Sequence, residues 1–192
     1  MGGMKIELRM EDLQNEKAKQ LLKNIIGNEE VIFVGIGTMK CILDSLGPRI
    51  CSKLQNKASV FGTAESPLHA LNIKERVPIL IEENKDKLKI AIDSCICDED
   101  KIGTIFIDSK PVRPGAGMKK ELPAVGDYSI KIGVASTVDA LFPPYKGETE
   151  AIQTKRMQEW ATMVADYIIE CLEERNENPK DESNDDEQYI EF

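Results

Sequence analysis

The sequence predicts an α/β fold: a three-layer sandwich around a mostly parallel twisted sheet, folded as one domain over residues 1–178. Two observations predict it. Short apolar runs such as Val31-Ile-Phe-Val-Gly-Ile36 are continuous, not alternating, which marks strands buried on both faces. Segments of helical spacing separate these runs, and strands alternating with helices build βαβ units with right-handed crossovers. A chain of 192 residues is long enough to bury one sizeable core around such a sheet.

In chain order, Leu13, Leu21, Leu22, Ile25 and Ile26 recur at helical spacing from about Glu11, and Gly27 supplies the stop. Val31–Ile36 is the first strand, bounded by Gly35 and Gly37. A helix follows to about Gln55, with Pro48 in its first turn, where a missing N–H is harmless. Ser59-Val-Phe-Gly62 is the second strand. A helix opening at Ser66-Pro67 and carrying His69, with Pro78 as an interruption or kink, runs to about Glu83. Leu88-Lys-Ile-Ala-Ile92 is the third strand and ends at Asp93. Gly103–Ile107 and Ser129–Val134 are further strands, with the turn-rich stretch Pro111–Asp127 between them. A short helix is expected at Val138–Phe142. A long one is expected from about Glu148 to Glu174, with Met157, Trp160, Ala161, Val164, Ile168 and Cys171 on one stripe.

The net charge of −9 is concentrated at one end. Glu173–Phe192 holds nine acidic and two basic residues, and the rest of the chain nets only −2. Residues 179–192 therefore read as a disordered acidic tail. Neither part presents the basic surface that nucleic acid requires. No apolar run reaches the roughly 20 residues of a membrane span. The first ten residues lack a signal peptide's apolar stretch, so a cytoplasmic protein is expected. The five cysteines are then expected as free thiols. With one histidine, His69, the spacing of a structural zinc site is missing.

In doubly wound sheets ligands bind beyond the carboxyl ends of strands, where the strand order reverses. The first strand empties into Gly37-Thr-Met-Lys-Cys-Ile-Leu-Asp44, and the third ends in Asp93. If the sheet begins in the order two-one-three, these strands are neighbours and both aspartates reach one crevice. Nearby carboxylates share a proton, so that one serves as base and the other as acid. Such a pair activates water for amide cleavage. The same geometry also holds a divalent cation, and an Asp after a strand equally caps a helix or tightens a turn.

Other motifs carry less. Cys95 and His69 are candidates for a thiol–imidazole pair, or else a buried thiol and a polar group at a helix start. Gly35-Ile-Gly37 is not a dinucleotide fingerprint, because Lys40 stands where the third glycine belongs. Pro114-Gly-Ala-Gly117 lacks the Lys-Ser/Thr of a phosphate loop and suits a tight turn. No G-x-S-x-G nucleophile elbow is present.

Val34-Gly-Ile-Gly37, Asp44-Ser-Leu-Gly-Pro48, Ala91-Ile-Asp-Ser94, Pro114-Gly-Ala-Gly117 and Ile132-Gly-Val-Ala-Ser-Thr-Val-Asp-Ala140 resemble, in this order, the germination (spore) protease superfamily. Phe61-Gly-Thr63, His69-Ala-Leu-Asn72 and Lys120-Glu-Leu-Pro-Ala-Val-Gly-Asp127 look closer to the small YyaC-type sporulation proteins. The resemblance spans roughly Val31 to Ala140. It implies the fold of the hydrogenase-maturation peptidases, with Asp44 and Asp93 at the places of the two catalytic aspartates. Gly37, Thr38, His69, Ser94, Cys95, Gly115 and Gly117 are then the substrate-crevice candidates. It further implies a protein or peptide substrate, small acid-soluble spore proteins among the candidates, in the forespore or spore core of a spore-forming bacterium. No cofactor is implied beyond an optional divalent metal. The chain is much shorter than the germination protease and has no evident propeptide, so zymogen processing is not implied. The alternative is a non-catalytic sporulation interaction protein that binds peptides in the same crevice.

Overall fold

Val31–Gly35 forms a strand buried along its whole length, as a continuous apolar run requires. Around it the computed structural model, which describes residues 4–115, 122–137 and 150–177, builds six strands and four helices. These are β1 (Lys5–Arg9), α1 (Glu16–Ile26), β2 (Val31–Gly35), α2 (Leu46–Leu54), β3 (Ser59–Phe61), α3 (Ile73–Glu83), β4 (Leu88–Ile96), β5 (Thr104–Asp108), β6 (Tyr128–Ala135) and α4 (Glu150–Glu177). Gly117, the helix expected at Val138–Phe142 and the acidic tail lie outside the described residues.

The strands form one sheet in the order β1-β5-β6-β4-β2-β3. The three strands first read from the sequence, now β2, β3 and β4, take the expected order two-one-three and pair in parallel. The sheet as a whole is only partly parallel, which corrects the expectation of a mostly parallel one. β6 pairs in parallel with β4, but β5 is antiparallel to both β6 and β1. Connection length is the cause. Only residues 97–103 separate β4 from β5, too few for the dozen or more that a parallel crossover needs. β1 was not expected; its alternating exposure suits an edge strand with one wet face.

Parity along β2 sorts the core. Val31 and Phe33 join a cluster with Leu22 and Ile26 of α1, Ile50 of α2 and Val164 of α4. Ile32 and Val34 join a second cluster with Ile73, Val77 and Leu80 of α3. Helices therefore flank both faces. The stripe expected on the last helix is buried at Met157, Ala161, Val164, Ile168 and Cys171, with Trp160 partly covered. Within the same contact Tyr167 is buried and its hydroxyl donates to the Ala18 carbonyl at 2.7 Å. Tyr167→Phe is expected to cost about 1 kcal/mol, read from the urea midpoint, because one neutral buried hydrogen bond disappears while packing persists.

Two helix starts differ from expectation. The first helix begins at Glu16, preceded by a 3-10 turn at Met10–Asp12, where the Asp12 carboxylate accepts the Arg9 N–H. The third begins at Ile73, not Ser66, so His69 stands in a turn before it. Asn72 explains the delay: its side chain accepts the His69 N–H and donates to the Pro67 carbonyl. Arg76 donates to the Ser66 and Pro67 carbonyls, satisfying them outside any helix. Pro78 does not interrupt α3, which runs through it.

Candidate functional site

The chain leaving β2 bends at Ile36, whose N–H donates to the Ile92 carbonyl of β4. Gly37 then donates to Leu68, and the Thr38 N–H donates to the Asp44 carbonyl at 2.9 Å. Gly37 has φ 135° and lies against the Asp44 main chain, in space that a Cβ would fill. A 3-10 turn at Ile42–Asp44 follows, tied by the Ser45 hydroxyl, which donates to the Ile42 carbonyl at 2.7 Å and accepts from Arg49. Gly47 comes next in α2, and a Cβ there would stand 2.5 Å from the carbonyl oxygens of both Ile36 and Ile92. The start of α2 thus rests on the chain just past the end of β2 and on the middle of β4, and Asp44 is delivered beside β4. Pro48 follows as the third helical residue, among positions whose N–H groups have no intrahelical partner.

Asp93 comes from the sheet itself. It lies within β4, three residues short of its end, where a strand end had been expected. Parity places it on the α3 side with Ala91, directly paired in register with Lys131 of β6. Its carboxylate accepts the Ser94 N–H at 2.8 Å. Asp44 and Asp93 line one crevice of about 770 Å³, together with Gly37, His69, Cys95 and Gly115. Ser94 lines it as well. Thr38 does not; its N–H instead supports Asp44 from behind.

The two carboxyls titrate unlike ordinary aspartates. Burial pushes Asp44 up to about 6, against the stabilising N–H of Thr38. Burial also pushes Asp93 up, joined by the charge on Asp44 and opposed by the Ser94 N–H and by Lys131, to about 7. Both carboxyls therefore hold their protons to higher pH than an ordinary aspartate does. Lys131 had not been singled out, yet it is the lone charge within Ile130–Val134, and its parity places it on the same face as Asp93. Lys110 and Arg113 add cations to the wall, and Asp108 adds an anion. These residues sit on the β5–β6 connection and the end of β5, which no sequence motif connects to the aspartates.

The rival thiol pair is not assembled. The His69 Nδ1 accepts the Leu71 N–H at 3.3 Å, and its Nε2 lies 3.4 Å from the Asn72 amide, so its own turn engages the ring. Among the described residues no hydrogen bond joins it to Cys95. Burial first, then the Cys97 and Asp93 charges, push the Cys95 thiol up to about 11, keeping it protonated at neutral pH. All five cysteines are free. Among the described residues no group of three or more His, Cys, Asp or Glu side chains is placed to hold a metal, and no helix is long and apolar enough to cross a membrane.

Comparison with known proteins supports the likeness to YyaC-type proteins. Over 104 residues the chain is 36% identical to the "Uncharacterized protein YyaC" of Bacillus subtilis (strain 168), covering 52% of this chain and 51% of that relative. The aligned part thus spans about half the length of each. The profile of the family described as "Protein of unknown function (DUF1256)" matches residues 6–163, which carry Asp44, Asp93 and Lys131, and the chain belongs to that family.

Proposed function

We propose that this protein is a peptidase in which the Asp44–Asp93 pair activates water for peptide-bond hydrolysis. The observation that carries the reading is the meeting of two partly buried carboxylates, from different elements, in one open crevice. The fold supports it: helices on both faces of a β3-β2-β4 parallel half fit the three-layer sandwich of the hydrogenase-maturation peptidases. In the mechanism, ionised Asp44 draws a proton from water as the oxygen attacks the scissile carbonyl. Protonated Asp93 donates a hydrogen bond to the carbonyl oxygen as it gains charge. The proton taken by Asp44 then passes to the leaving nitrogen, which completes the cleavage. The resemblance to the germination protease nominates small acid-soluble spore proteins as substrates and the forespore or spore core as the location.

The test is incubation of the full chain with spore proteins and with unfolded casein, and identification of new termini by mass spectrometry. Discrete cleavage is expected, with a bell-shaped pH profile. The singly protonated pair dominates between about pH 6 and pH 7, so the optimum belongs there and activity falls on both sides. Activity that keeps rising above pH 9 contradicts a shared proton. Loss on adding a chelator moves the mechanism to a metal-held water. The absence of new termini at every pH hands the crevice to peptide binding without cleavage.

A further inference from the structure

β4 outruns its neighbour. The last register pair between β2 and β4 is Gly35 with Ile92, and Asp93–Ile96 continue beyond it along the crevice. Alternation decides where their main-chain groups aim. The Ile92 carbonyl accepts from Ile36 on the β2 side, whereas Cys97 donates to Ala135 on the β6 side. Asp93 and Cys95 therefore bond toward β6, and Ser94 and Ile96 turn toward the side that β2 has left. On that side the Ser94 N–H is taken by the Asp93 carboxylate. The Ser94 carbonyl and both main-chain groups of Ile96 have no partner there among the described residues. The Ser94 Oγ is buried and likewise without a partner among them. Ile96 is 46% exposed, so this edge is reachable from solvent.

We propose that this overhang binds an extended peptide, which adds as a short strand in the line β2 vacates. The proposal rests on the peptidase reading and deepens it by naming the conformation in which substrate is held. Free donors and acceptors at strand spacing match an extended main chain, and they recognise it whatever its side chains. The same alternation sets the geometry: Ser94 offers its carbonyl to the guest while its N–H orients Asp93. A peptide bond lying along this edge thus passes beside the carboxyl group that acts on it.

The Ile96 N–H has no partner among the described residues, so Ile96→Pro deletes it at an edge position where proline is tolerated. The probe is a millimolar pool of random N-acetylated decapeptide amides, added to the Asp93→Asn protein so that none is cut. Amide exchange at Ile96, followed by NMR, is expected to slow when the pool is added. A pool with every second amide N-methylated should not slow it. Ile96→Pro is expected to weaken binding about tenfold, and Ile96→Ala, which keeps the N–H, about threefold at most. Equal binding of the N-methylated pool, or an Ile96 amide whose exchange the plain pool leaves unchanged, overturns the proposal. A protein that cleaves normally as Ile96→Pro refutes the edge but leaves the peptidase reading standing. Protection at Ile96 in a protein that never cleaves does the reverse.

Discussion

Asp44→Asn and Asp93→Asn are each expected to lower peptide hydrolysis by at least about 10³-fold, and the double variant by little more. Asparagine keeps the size and much of the hydrogen bonding, including an oxygen to accept the Ser94 N–H, but it cannot carry the proton. Stability moves the other way. Both carboxyls hold their protons to higher pH in the folded chain than in the unfolded one, where they leave near 4. The folded chain therefore binds more protons between about pH 4 and pH 7, and its stability falls as pH rises across that window. The asparagine variants escape this loss. Their melting temperatures at pH 8 should equal or exceed that of the unsubstituted protein, and the difference should vanish below pH 4. Hydrolysis that survives both substitutions and disappears in Cys95→Ser would assign the chemistry to the thiol instead.

Gly47→Ala is expected to cost about 3 kcal/mol and, in the protein that still folds, to lower hydrolysis about 100-fold. The new methyl would stand 2.5 Å from two carbonyl oxygens, that of Ile36 just past β2 and that of Ile92 within β4, and neither can retreat without disturbing the hydrogen bond that joins these two residues. Relief comes by lifting the start of α2, and Asp44 moves with it. Urea unfolding reads the first effect and single-turnover cleavage the second. A midpoint unchanged from that of the original protein would show that α2 does not rest on Ile36 and Ile92.

Legibility followed the range of the interactions concerned. The continuous apolar run of β2 and the stripe on α4 are local periodicities, and both were readable. Asp44 and Asp93 were readable as a pair only through the order β3-β2-β4, which short parallel βαβ units favour. His69 was placed on a helix because its turn is stabilised by hydrogen bonds between the side chains of Asn72 and Arg76 and the main chain, which no apolar periodicity reveals. The direction of β5 could have been inferred from the seven residues that precede it. Lys110 and Arg113 were not legible, since their place in the crevice depends on how the β5–β6 connection returns over the sheet.

The pairing of β1 with β5 also has a consequence for the chain as it is made. Lys5 pairs with Asp108 and Arg9 with Thr104, so this strand finds its partner only after about a hundred further residues have been made. By then β2, β3 and β4, with the helices between them, can already have docked, because each contact among them joins nearer stretches of sequence. During translation β1 is a strand without a sheet. Once in place it covers the outer side of β5, leaving the short, partly charged Lys5–Arg9 as the border that other chains meet.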